Sequence, residues 1–119
     1  MTRLAVVGSR EFSNPRFMNI CILRWQAEKG LITEIVTGGA PGADSLAKRW
    51  AIKNNIPCKI FDADWKRFGK SAGVIRNNDI VDRSEAMIAF PSSKGIGTQN
   101  SISLAKRKGI PVREYWDWK

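Results

Sequence analysis

The residues best suited to chemistry fall in glycine-bearing stretches that each follow a short apolar run. Gly8-Ser9-Arg10 joins a residue that lets the backbone turn sharply, a hydroxyl with its amide, and a planar guanidinium whose fork suits phosphate. The same triplet would also serve as a turn, a cap and a solvated arginine. Thr37-Gly38-Gly39-Ala40-Pro41-Gly42-Ala43-Asp44 places Gly38, Gly39 and Gly42 just before a helical pattern, so a ligand can approach the backbone and the first helical amides form an anion site. No Gly-Lys-Ser or Gly-Lys-Thr follows, and the spacing is not that of GxGxxG, so this is neither a Walker A loop nor a dinucleotide fingerprint. Asp44 reads either as a favourable charge at a helix start or as an acceptor for a ribose hydroxyl or a polarised water. Phe90-Pro91-Ser92-Ser93-Lys94-Gly95-Ile96-Gly97-Thr98-Gln99-Asn100 repeats the order of strand, glycine loop and helix start. There Gly95, Gly97 and Thr98 can cradle phosphate on amides and a hydroxyl, with Lys94 adding charge. A flexible surface loop has a similar composition.

A fourth stretch, Asp62 to Asn77, carries aromatic and cationic residues. Trp65 can stack on a base, and Arg76, beside Asn77, can bind phosphate from the start of the next helix. Trp65 as a core plug and Asn77 as an ordinary polar helix residue are the competing readings. Absences narrow the chemistry further. The chain has no histidine, which removes Ser-His-Asp, Cys-His and histidine-zinc sites. Cys21 and Cys58 lie in apolar stretches and read as reduced core thiols rather than a disulfide framework or metal cluster. No metal and no cofactor is expected. Twenty Lys and Arg against 11 Asp and Glu give a net charge of +9, which favours an anionic partner, a nucleotide or a nucleic acid, without choosing between them. From Ala86 through Arg113 no residue is acidic, whereas Lys94, Lys106, Arg107, Lys108 and Arg113 are cationic. No apolar run approaches the ~18 residues of a membrane span, and strand-like sequence begins by Arg3, which leaves no room for a signal peptide. The expected location is the cytoplasm, with no membrane partner.

These residues need a frame to hold them. A chain of 119 residues buries roughly two thirds of its unfolded surface, enough for one core, so residues 1–119 are expected to form a single domain. Short β-rich runs alternate with helical periods, which predicts an α/β fold: a Rossmann-like open parallel sheet of about five strands with helices on both faces. The strands expected are Leu4 to Val7, Glu34 to Thr37, Cys58 to Phe61, Ala86 to Phe90 and Pro111 to Tyr115. Ala43, Leu46, Ala47, Trp50 and Ala51 recur with helical spacing and define one helix firmly. Phe17, Ile20, Cys21 and Arg24 or Trp25 suggest another, ended near Gly30; Ile75 to Val81 a third; Ile102 and Ala105 a fourth, ended near Gly109. In such a sheet, ligands bind beyond the carboxyl ends of the strands, where all the stretches above would lie. Trp116 and Trp118 would cover a sheet edge or meet a partner.

Together, Gly8-Ser9-Arg10, Gly38-Gly39-Ala40-Pro41-Gly42-Ala43-Asp44, Phe61-Asp62-Ala63-Asp64-Trp65, Gly73 with Arg76-Asn77, and Phe90-Pro91 followed by Gly97-Thr98 form an ordered set. In order and spacing it resembles the small YspA-like proteins of the SLOG superfamily, named for its DprA and LOG members. The resemblance implies a Rossmann-like sheet whose loops bind a nucleotide, nucleotide-sugar or related phosphorylated signalling molecule. LOG enzymes split the N-glycosidic bond of a nucleoside monophosphate, using a glycine-rich loop ending in Gly-Thr, glutamates just after it, and an arginine. Pro91, Gly97, Thr98 and Arg76 match that pattern. Gln99, Asn100 and Ser101 stand where the glutamates would be, and neutral groups cannot stabilise oxocarbenium character. Hydrolysis would then need Asp44, Asp64 or Glu11 to supply the carboxylate, whereas binding needs none of them. DprA-like proteins bind single-stranded DNA, which is the nucleic-acid reading of the charge. LOG-like proteins pair, so the resemblance also implies a homo-oligomer through helix faces.

Overall fold

The structure is a computed structural model that describes residues 1–116 and residue 118. Five parallel strands form one sheet: β1 (Thr2–Gly8), β2 (Ile32–Gly38), β3 (Cys58–Phe61), β4 (Ala86–Phe90) and β5 (Val112–Glu114), in the order β3-β2-β1-β4-β5. The chain winds outward from β1 in one direction and then returns to pair β4 on its other side. That reversal leaves a crevice between β1 and β4 at their carboxyl ends, where Gly8 and Phe90 lie level with each other.

Helices cover both faces because the buried strands alternate their side chains. Leu4, Val6, Ile88 and Phe90 point to one face, where they pack with Met18, Ile22 and Trp25 of α1 (Pro15–Lys29) and Ala47, Trp50 and Ala51 of α2 (Ala43–Lys53). Ala5, Val7, Met87 and Ala89 point to the other, against Ile80 and Val81 of α4 (Ala72–Arg83) and Ile102 and Ala105 of α5 (Ile96–Lys108). Asn14 starts α1 by accepting the Phe17 amide at 3.0 Å, with Pro15 in the first turn, and Gly30 ends it at φ 103°. Gly109, left-handed at φ 87°, ends α5.

Two parts differ from the sequence reading. The stretch after β3, which offered no helical period before Ile75, is largely helical. Asp64 caps a short helix, α3 (Trp65–Phe68), by accepting the Arg67 amide at 3.1 Å; a 3-10 turn at Gly69–Ser71 follows, and α4 begins at Ala72 rather than Ile75. Trp118 packs inward. It is buried against Phe12 in an edge-on contact at 5.2 Å, and its indole N–H donates to the Pro91 carbonyl at 2.8 Å. Phe12 in turn stacks on Phe90 at 4.4 Å, and each such aromatic pair adds about 0.5–1.5 kcal/mol beyond the area it buries. Trp116 is exposed. Cys21 is buried, Cys58 is half-buried, and both are free thiols. Among the described residues no helix is long and apolar enough to cross a membrane.

Candidate functional site

Beyond the carboxyl ends of β1 and β4 lies an open cavity of about 500 Å3. Gly8 is small because it must be: a Cβ there would stand 2.6 Å from that of Ala43 and 2.9 Å from that of Phe90. This close approach brings the turn after β1 against the start of α2. The Ser9 amide donates to the Phe90 carbonyl at 2.9 Å, and the Ser9 carbonyl accepts the Ala43 amide at 3.1 Å, so one residue ties β1, β4 and α2 together. Ser9 Oγ accepts the Glu11 amide at 3.1 Å. Gly8, Ser9, Arg10 and Glu11 thus reach the cavity as one rigid turn.

Asp44 is 6% exposed and lines the cavity. Its Oδ2 accepts the Ala40 amide at 3.3 Å. Where a Cβ on Gly38 would stand, Asp44 Oδ2 lies 2.7 Å away and Arg76 Nη1 2.6 Å, so that glycine admits a carboxylate and a guanidinium side by side. Burial pushes the Asp44 carboxyl from 3.8 up to about 6, against the opposing pull of the Ala40 amide, the Arg76 charge, the Thr37 hydroxyl and the Arg10 charge.

Arg76 is oriented from its own helix. Its Nε donates to Asn77 Oδ1 at 3.0 Å, while Asn77 Nδ2 donates to the Gly97 carbonyl at 3.2 Å and to Asn100 Oδ1 at 3.0 Å. Asn77 is only 5% exposed, so it is a buried link from α4 to the start of α5 and not an ordinary polar helix residue. The loop before α5 is closed by Gln99 Nε2, which donates to the Ser92 carbonyl at 3.0 Å. The α5 start has no side-chain cap, which leaves its orientation of amides to act on an anion.

Of the residues singled out in the sequence, Gly8, Ser9, Arg10, Glu11, Asp44, Trp65, Arg76, Asn77, Lys94, Gly95, Gly97 and Thr98 border this one cavity. Gly38, Gly39, Gly42, Asp64 and Pro91 do not line it. Gly38 makes room for Asp44 and Arg76; Gly39 faces the Asp62 carboxylate; Gly42, at φ 81°, lies against the Ser9–Arg10 backbone. Asp64 caps α3, and Pro91 holds the Trp118 indole. Sequence reasoning missed Lys70, Val74, Ser92 and Ile96, and treated Asn100 and Ser101 only as places where glutamates are absent. Gly97, Asn100 and Ser101 follow the i, i+3, i+4 spacing of one helix face, a signal that was available.

Asp44 has a measurable consequence for the fold. Between about pH 4 and pH 6 the native protein keeps a proton that the unfolded chain has released, so stability falls as pH rises through that window. It is fully present only below 3.8. At about 1.4 kcal/mol per pKa unit the cost above pH 6 is on the order of 3 kcal/mol. Asp44→Asn is therefore expected to raise the melting temperature above pH 6 and to differ little from the parent near pH 4. Thermal melts across this range check it; an unchanged pH profile in the variant would assign the slope to other groups.

A doubly wound, Rossmann-like α/β fold with a polar, cationic cavity at its strand-order reversal defines the general class. The chain belongs to the YspA, cpYpsA-related SLOG family, whose profile matches residues 2–68. The Gene 61 protein of Mycobacterium phage D29 is 38% identical over 89 residues, covering 70% of this chain and 71% of that relative. No solved structure matches it at a significant level. Membership of the family points to nucleotide-related ligands in general.

Proposed function

We propose that the protein binds a nucleotide, nucleotide-sugar or related phosphorylated nucleoside at the carboxyl ends of its strands and acts as a sensor or sequestering protein. The observation that carries this reading is the convergence of Arg10, Arg76, Lys94 and the α5 start, which lie far apart in the chain, on one cavity. Arg10, Arg76 and Lys94 neutralise the phosphate, Gly97 and Thr98 offer an amide and a hydroxyl, and Trp65 meets the base. The wall offers neutral Asn100 and Ser101 after Thr98, which favours holding a ligand over cleaving it.

One observation supports a second reading, hydrolysis of an N-glycosidic bond. Asp44 and Glu11 both border the cavity, and a buried carboxyl raised to about 6 is in the range where general acid-base work is efficient. Asp64 caps α3 and does not line the cavity, so it offers less support for that role. Calorimetric titration with AMP, ADP-ribose and NAD, followed by chromatography for released base or ribose phosphate, separates the two. Binding with intact ligand rejects the hydrolase. Absence of binding by every nucleotide, together with tight and steeply salt-dependent binding of oligonucleotides, would replace both with single-stranded nucleic-acid binding.

A further inference from the structure

Large apolar side chains usually leave the surface, yet Trp65, Val74 and Ile96 are 56%, 49% and 80% exposed and all border the same cavity. Ile96 is the least expected of them. It opens α5 between Gly95 and Gly97, where a polar residue would interact better with water and with the helix start, and a β-branched side chain adds nothing to helix formation. Trp65 sits across the beginning of α4, its Cη2 3.5 Å from the place a Cβ on Gly73 would occupy. The polar groups of the cavity come from the turn after β1 (Ser9 and Arg10), from α2 (Asp44), and from the same two helices that carry Val74 and Ile96: Arg76 and Asn77 on α4, Thr98, Asn100 and Ser101 on α5. The cavity therefore has a buried polar corner at Asp44 and Asn77, and an exposed border that carries Trp65, Val74 and Ile96 together with the cations Arg10, Lys70 and Lys94. Exposed apolar groups that border one polar pocket mark a contact surface.

We propose, building on the nucleotide reading above, that Val74 and Ile96 complete with Trp65 an apolar subsite that holds the ligand's heteroaromatic base at the cavity mouth, with its sugar phosphate directed inward to Arg10 and Arg76. Charge complementarity favours this orientation: Arg10 and Arg76 take the anionic end, which leaves the uncharged planar end for Trp65, Val74 and Ile96. Stacking and aliphatic contact use the face of a base, and every base has one. The subsite consequently selects for the presence of a base and is indifferent to which base it is.

Calorimetry with AMP, GMP and ribose 5-phosphate tests this on the intact chain, its Ile96→Ser variant and its Val74→Ser variant. The side chains are exposed, and melting curves confirm that the variants fold. AMP and GMP are expected to bind alike and about tenfold or more tighter than ribose 5-phosphate. Ile96→Ser is expected to narrow that preference about fivefold, acting on the nucleotides and far less on the sugar phosphate, with Val74→Ser in the same direction. Equal affinity of the unmodified protein for AMP and ribose 5-phosphate overturns the subsite while leaving phosphate binding intact. A strong preference for one base, an unaltered AMP affinity in both variants, or an equal loss for all three ligands also overturns it. If none of the three binds, the nucleotide reading itself falls with it.

Discussion

Arg76→Ala is expected to weaken binding of AMP by about 1.5–3 kcal/mol, the usual worth of a charge-assisted hydrogen bond to phosphate. The guanidinium is held at the cavity wall by Asn77, which is itself anchored to the Gly97 carbonyl and Asn100. Its fork is pre-organised before any ligand arrives, so little ordering cost offsets the contact. Arg76→Lys keeps the charge but loses the fork and the Nε donor to Asn77, and is expected to recover only part of the affinity. The change has a second effect. The Arg76 charge lowers the Asp44 pKa, so its removal lets burial push that carboxyl still higher and moves the pH window of stability upward. Titration calorimetry with pH-dependent melts reads both effects, and full affinity in a folded Arg76→Ala protein would remove this arginine from the site.

Gly42→Val is expected to cost about 2–4 kcal/mol of stability, combining backbone strain with displacement of packed main chain. Gly42 adopts φ 81°, which L side chains rarely tolerate, and a Cβ there would overlap the Ser9 carbonyl and the Arg10 backbone. Neither is a flexible group that can swing aside. Since Ser9 ties β1, β4 and α2 together, its displacement also carries Arg10 away from the cavity, and nucleotide affinity is expected to fall with stability. Gly39→Ala is the informative comparison. The Cβ it adds would meet the Asp62 carboxylate, the far end of a side chain that can rotate away, so a loss under about 1 kcal/mol is expected. Urea unfolding of the two variants checks the contrast; equal stability of Gly42→Val and the parent would mean that the approach of the two turns is not a constraint.

The sequence reading was most successful where burial dictates residue type, as a continuous apolar run or as a stripe. β4 is apolar at every position and was legible residue by residue, as was the α2 stripe of Ala43, Ala47, Trp50 and Ala51. The strand-end loops were legible as a set because glycine, serine and arginine are recognisable punctuation. Residues 65–68 were not, since one helical turn is too short to show a period and its sign was a single capping aspartate, Asp64. Gly38, Gly39 and Gly42 stood out as a ligand loop; the neighbours that each also accommodates, Asp44 with Arg76, Asp62, and the Ser9–Arg10 backbone, are brought close by the fold and were not legible. Lys70, Val74 and Ile96 reach the cavity through the mutual placement of α3, α4 and α5, which no local pattern encodes.

The contacts of Trp118 with Phe12 and Pro91 carry an expectation for the order in which the protein matures on the ribosome. By the end of α5 a nascent chain already holds β1 to β4 and all the groups that border the cavity, but the indole that bridges Phe12 to Pro91 has yet to be added. Domains begin folding while they are being synthesised, so β1 to β4 are expected to consolidate first, and the ligand retention proposed above to follow only once β5 and residue 118 have left the ribosome. Ribosome-arrested chains of graded length would show that lag as a gap between protease resistance and ligand retention; simultaneous onset of the two would mean the turns hold their shape without the Trp118 contacts.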